Sequence, residues 1–198
     1  KGTVLMFPGR TEYIEKYVHV ADAMRSAGYA TLIIDWRGQG LSDRPLPDRM
    51  MGHVGAFEDY QRDVVAALAA AARLGLPEPY FMIAHSMGGC IGLRALLSGL
   101  QARAVAFSGP MWGIRLTALQ RPSAWVYGLA ARAVGADRRY APTTSSATYV
   151  ATAPFADNVL TSDPDMYALM QRQVASHPDL ALGGPSLHWL TEALIETC

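Results

Sequence analysis

The chain has 198 residues, 51% of them hydrophobic, and its 17 basic side chains balance 17 acidic ones, so it carries no formal net charge. That length suits one domain with a sizeable core, or a domain carrying an insertion, and the balanced charge gives no electrostatic footing for nucleic acid or an anionic membrane surface. The longest apolar run, VVAALAAAA at 64–72, is far too short to cross a bilayer, and two cysteines make no disulfide framework.

The chain opens at Lys1 directly on an apolar run, TVLMF (3–7), so the native N-terminus is expected to lie upstream. YIEKYVHVADAMRSAG follows, with Ile14, Tyr17, Val18, Ala21 and Met24 at helical spacing and Gly28 as the stop. ATLIID (30–35) is a second strand. AFEDYQRDVVAALAAAARLG puts Phe57, Tyr60, Val64, Leu68 and Ala71 on one helical face and ends at Gly75. YFMIA (80–84) is a third strand, MGGCIGLRALLSG a third helix with Cys90 buried in it, and AVAFSG (104–109) begins the fourth strand. Strands that are apolar throughout are buried on both faces, as in a parallel sheet covered by helices. The strand–helix alternation therefore predicts an open α/β fold, with chemistry at the carboxyl ends of the strands.

After Trp112 the rhythm changes. Residues 112–185 hold scattered prolines and no convincing strand, while SDPDMYALMQRQVASH predicts a helix capped by Ser162 or Asp163. PSLHWLTEALIETC predicts another, with Leu187, Leu190 and Leu194 on one face. The division expected is residues 1–111 as the N-terminal part of an α/β core, 112–185 as a helical insertion, and 186–198 as a helix returning to the core.

The stretch IAHSMGG places Ser86 on a sharp turn between the third strand and the third helix, with Ala84 and Gly88 two residues to either side. Such a turn strains the serine backbone and needs tiny neighbours; it lifts the hydroxyl above the sheet and turns the first helical amides toward the same point. An exposed oxygen beside oxyanion donors is what acyl transfer requires. The pattern is G-x-S-x-G with alanine in the first place.

These pieces resemble the α/β-hydrolases, and within them the monoacylglycerol lipase and lysophospholipase L2 group. FPGRTEYIEKY resembles the group's oxyanion-loop segment, with Pro8 where histidine is common. DWRGQGLSDR, HVGAFEDYQRDV, AHSMGG (alanine for glycine), TSDP and GGPSLHWL resemble further segments in the same order, over nearly the whole chain. The resemblance implies Ser86 as nucleophile, with the N–H of Met87 and the N–H of Arg10 as oxyanion donors. It implies no cofactor and no metal.

In this fold the triad acid and histidine follow later strands. No strand followed by Gly-x-x-Asp appears after the insertion, so both are expected beyond residue 198, in a longer enzyme. His177 and His188 are read as surface or packing residues, His85 as turned away from Ser86, and His53 as a loop brace. Asp35 and Arg37 are read as loop-fixing, and Asp63 as structural.

The function expected is hydrolysis of a carboxylic ester of a lipid, a monoacylglycerol or a lysophospholipid. The insertion would form a cap, with Met166, Leu169, Met170 and Val174, and Trp112, Trp125, Tyr127 and Trp189 elsewhere, offering apolar surface to an acyl chain. The protein is expected in the cytoplasm, meeting a membrane peripherally through the cap. The alternatives are a small-ester or lactone hydrolase, a peptidase, an acyltransferase, or a non-catalytic lipid-binding fragment.

Overall fold

A computed structural model describes all residues except Ala118 and Leu119. Four strands, β1 (Thr3–Phe7), β2 (Ala30–Ile33), β3 (Tyr80–His85) and β4 (Val105–Ser108), form one sheet in the order β2-β1-β3-β4, and all three pairings are parallel. α1 (Val18–Ser26), α2 (Tyr60–Arg73) and α3 (Met87–Leu97) are the crossovers. The chain steps from β1 to β2 on one side, then returns past β1 to β3 on the other. The carboxyl ends of β1 and β3 therefore flank the point where the winding reverses, which is where open α/β sheets form their crevice. Register sets the two ends level, with Phe7 opposite Ala84.

The main core lies on this sheet. Leu5, Phe7, Met82 and Ala84 pack with Trp36, Phe57, Tyr60 and Val64, and with Cys90 and Ile91 of α3. Burial of all of β1, and of β3 at Met82 and Ala84, goes with the unbroken apolar runs of these central strands. The α2 face is buried as the spacing predicts, though Leu68 is only partly covered. The α1 stripe is not: residues Ile14–Tyr17 form a 3₁₀ turn, and Ile14 and Val18 stay 41% and 47% exposed. The tighter turn rotates the stripe and leaves Tyr17 as its buried member. β2 ends two residues before the predicted boundary because Asp35 serves the loops instead. Its carboxylate accepts the Ile14 amide at 3.0 Å and the Leu41 amide at 2.9 Å.

No described residue beyond Ser108 lies in a strand of the sheet. The rest contains α4 (Gln120–Ala133), α5 (Tyr149–Thr152), α6 (Pro164–Ser176) and α7 (Leu187–Glu196). α6 starts on Asp163, whose carboxylate accepts the Asp165 and Met166 amides, with Pro164 in the first turn. Ser186 caps α7 through the Trp189 amide at 3.0 Å. Among the described residues no helix is long and apolar enough to cross a membrane.

Several contacts tie this half to the sheet, among them an apolar cluster and a set of backbone hydrogen bonds. Tyr13, Val150, Tyr167, Met170, Val174 and Leu180 form a second apolar cluster. The segment entering α7 docks on the loop before α2: Gly183 donates to Met50 O at 2.8 Å, Gly52 to Gly184 O at 3.0 Å and Ser186 to Gly52 O at 2.8 Å.

Candidate active site

Ser86 stands between β3 and α3 with φ 50° and ψ −120°, in the positive-φ half of backbone space that non-glycine residues rarely occupy. The turn is clamped from both sides. The Ser86 amide donates to Ser108 O at 3.1 Å, and the Ser86 carbonyl accepts the amides of Gly89 at 2.9 Å and Met111 at 2.8 Å. Gly88 makes the turn possible: a methyl there would lie 2.1 Å from Phe7 O and 2.4 Å from Pro8 O, so only glycine lets α3 approach the end of β1. Met87, directly after the serine, is the first residue of α3 and fully buried.

The loop after β1 closes against this turn. A methyl on Gly9 would be 3.0 Å from the Ser86 Cβ. Trp36 Nε1 donates to Pro8 O at 2.9 Å and Gln39 Nε2 donates to Gly9 O at 2.9 Å. The Gly9 amide donates to Glu12, whose carboxylate also takes Lys16 Nζ and Tyr17 OH. Burial alone would raise the Glu12 pKa. The Lys16 charge and the hydrogen bonds from Lys16 and Tyr17 outweigh it and hold the group below the usual carboxylate range. No described residue accepts a hydrogen bond from the Met87 or Arg10 amide.

Ser86, Gly9 and Arg10 open on a cavity of about 430 Å³. Its lining includes the apolar side chains of Val150, Leu160, Met170, Val174, Leu180 and Leu182 and the hydroxyl-bearing residues Thr143, Thr144, Ser145 and Thr148. Of the apolar residues singled out from sequence, Met170 and Val174 reach this cavity. Trp112 instead packs on Phe107, and Trp189 lies in the core with its Nε1 on Tyr60 OH at 3.1 Å.

The histidines divide as follows. His85 lines the cavity beside Ser86, contrary to the expectation that it turns away, because Ser108 O holds its Nδ1 at 2.9 Å and Glu12 Oε1 faces its Nε2 at 3.8 Å. His53 Nδ1 meets Ser186 Oγ at 2.8 Å, a serine–histidine contact in which Ser186 is wholly buried and committed to capping α7. His188 bonds Asp137 Oδ2 and Gly55 O, both at 2.7 Å, and His177 is exposed at the end of α6. Arg37 forks onto Asp63, with Nη2 to Oδ1 at 2.8 Å, and so fixes the loop after β2 to α2. Spacing alone did not single out Gln39 or the Arg10 side chain; the usable sequence signal was the Glu12–Lys16 interval of four at the start of a helical stretch.

A strained serine between a parallel strand and a helix, at the reversal point of the sheet, defines an α/β-hydrolase site. The chain belongs to the Hydrolase_4 family, described as serine aminopeptidase, S33, which it matches over residues 1–197. Among individual proteins it is similar to lysophospholipase L2 of Escherichia coli K12, at 35% identity over 97% of this chain and 56% of that protein. It is also similar to phospholipase YtpA of Bacillus subtilis, at 28% identity over 57% of this chain and 42% of that one. The chain thus spans little more than half the length of the first of these. Among solved structures it resembles a soluble variant of monoglyceride lipase from Saccharomyces cerevisiae bound to a substrate analog, with a TM-score of 0.66, 23% identity, and coverage of 100% of this chain and 59% of that one. A carboxyl esterase from Bacillus coagulans in complex with glycerol gives a TM-score of 0.68 at 14% identity, over 100% of this chain and 64% of that one. These likenesses carry the fold.

Proposed function

We propose that the protein is a serine hydrolase that cleaves a carboxylic ester of a lipid, a monoacylglycerol or a lysophospholipid. Ser86 attacks the acyl carbonyl, the Met87 and Arg10 amides take the developing oxyanion, and water then releases the acyl-enzyme. The observation that carries this is the strained Ser86 opening on a cavity lined by both apolar and hydroxyl-bearing residues. An acyl chain suits the apolar side chains and a glycerol head the hydroxyls.

In this reading residues 1–111 and 186–198 belong to the core and 112–185 form the cap over the serine. The general base and its carboxylate come from sequence after Cys198: His53 and His188 are engaged elsewhere, His85 is held at Nδ1 by Ser108 O with its Nε2 toward Glu12, and Glu12 is spent on the loop. The exposed apolar residues of the cap, among them Val126, Val134 and Val159 at 70%, 77% and 86% exposure, give it a surface for peripheral contact with lipid. The names of the relatives, lysophospholipase L2 and phospholipase YtpA, support a lipid ester. Among the described residues lining the cavity Glu12 is the one carboxylate, and it is paired with Lys16 rather than free for a substrate ammonium group.

The test is fluorophosphonate labelling of the full-length protein, together with hydrolysis of a matched panel of monoacylglycerols, lysophospholipids and short p-nitrophenyl esters. Labelling should map to Ser86. Ser86→Ala should abolish labelling and lower kcat by ~10⁶, the loss typical of a removed triad nucleophile. Labelling at another residue, or lipid ester hydrolysis surviving in Ser86→Ala, would refute the assignment.

A further inference from the structure

We infer that the Arg10 side chain is a positioning residue, tying the oxyanion loop to the segment that returns from the cap, so that the seating of the cap sets the geometry of the oxyanion site. This rests on the reading of Ser86 given above. The roles proposed for the Met87 and Arg10 amides concern backbone; the side chain of Arg10 makes a separate set of contacts.

Its guanidinium lies in a slot with three walls. Nη2 donates to Gly183 O at 2.7 Å, the Cζ sits 5.2 Å from the centre of the Trp189 ring, and a methyl on Gly52 would come within 2.7 Å of Nη2. Burial lowers the pKa to about 10, which leaves the group cationic at neutral pH, and Nε is buried without a partner among the described residues. A half-satisfied buried cation is a costly way to fill a slot that an aliphatic side chain could occupy. Its use here points to a geometric task.

The slot exists only when the return segment is docked. Gly183 is held by Met50 O, Gly184 donates to Ser145 O at 2.7 Å, and Trp189 follows the Ser186 cap that docks on Gly52. At its other end Arg10 belongs to the loop that packs on Ser86. Trp36, Gln39 and Glu12 brace that loop at residues 8 and 9, on the sheet side. The next residue, Thr11, has φ 62°. The Arg10 amide therefore sits between a braced Gly9 and a strained Thr11, and its own side chain is anchored on the returning segment. If the segment shifts, the guanidinium moves with it and the amide is pulled out of line. Lysine does not replace this clamp, because one ammonium cannot both lie over Trp189 and donate to Gly183 O as the extended guanidinium does.

The experiment compares Arg10→Ala, Arg10→Lys and Arg49→Ala in the full-length protein. Arg49 also ties to the returning chain, through Asp179 O at 3.0 Å, but lies on the surface away from the loop. Readouts are kcat and KM for a soluble p-nitrophenyl ester and Ki for a trifluoromethyl ketone, whose adduct carries an oxyanion. Removing an oxyanion donor costs ~10²–10³ in kcat, so displacing one should cost ~10–10². Arg10→Ala is expected to lower kcat and raise Ki by that same factor with KM within twofold. Arg10→Lys should recover only part of the loss, and Arg49→Ala should match the wild type. A rise in KM at unchanged kcat would make Arg10 a substrate-binding residue and overturn the proposal. So would a kcat and Ki in Arg10→Ala no worse than in Arg49→Ala, or failure of both Arg10 variants to fold. A wild-type protein that neither hydrolyses esters nor reacts with fluorophosphonate would remove the functional reading itself, and this inference with it.

Discussion

Replacing Gly88 by alanine adds one methyl at the tightest point of the molecule. The new Cβ would sit 2.1 Å from Phe7 O and 2.4 Å from Pro8 O, and an ordinary carbon–oxygen contact needs about 1 Å more. Both neighbours are backbone atoms at the end of the central strand, so no side chain can swing away. Alanine favours the helix by about 1 kcal/mol over glycine, whereas overpacking a filled core costs about 1–3 kcal/mol. Here the clash falls at the top of that range or beyond, so we expect a net loss of about 2 kcal/mol. The relief must come from α3 lifting off β1, which separates the Met87 and Arg10 amides. A displacement of that size costs ~10²-fold in rate. Urea unfolding gives the first number; kcat on a soluble ester and the fluorophosphonate labelling rate give the second. Gly113→Ala is the control, since nothing lies within 4 Å of a methyl there, and it should change stability by less than about 0.5 kcal/mol. If Gly88→Ala unfolds and reacts like the Gly113 control, α3 does not rest on the β1 carbonyls and the geometry given for Ser86 is wrong.

Ser86→Gly should stabilise the fold by about 1 kcal/mol while removing activity, because glycine takes a φ of 50° without the strain that serine bears; a lower melting temperature in the variant would contradict this. Acid should weaken the protein through His53, whose pKa is lowered to about 4, chiefly by burial and then by His188 and Arg138. A base with a depressed folded pKa stabilises fully above its unfolded value near 6.5 and loses that contribution as pH falls toward 4, a loss of up to about 3 kcal/mol. His53→Gln should flatten urea stability across this window, and an unchanged slope would show that another group carries the pH dependence.

The sheet was legible because its strands, wholly buried at β1 and at least partly covered in β2 and β3, leave unbroken apolar runs in local sequence. The turn at Ser86 was legible for a related reason: small residues at 84 and 88 mark a close approach before any partner is known. The end of β2 was misread because Asp35, which closes the run after Ile34, takes its partners from residues 14 and 41, outside any local window. The same distance in sequence hid the Arg10 clamp on Gly183 and the His53–Ser186 contact. Periodicity in α1 misled for another reason, since it reports which residues share a face and not whether anything covers it.

Cys90 stands four residues after Ser86, on the same helix that begins beneath the serine. It is 6% exposed, and burial, with a smaller push from Glu196, raises its thiol pKa to about 12. At neutral pH only ~10⁻⁵ of it is thiolate, the form that reacts with alkylators and peroxides. Trypsin cuts after Arg73 and Arg94 and leaves Ser86 and Cys90 on one peptide. An electrophile that adds to this peptide in the native protein is therefore not bound through the Cys90 thiol, and the fold has made that sulfur silent in the one fragment where it could be confused with Ser86.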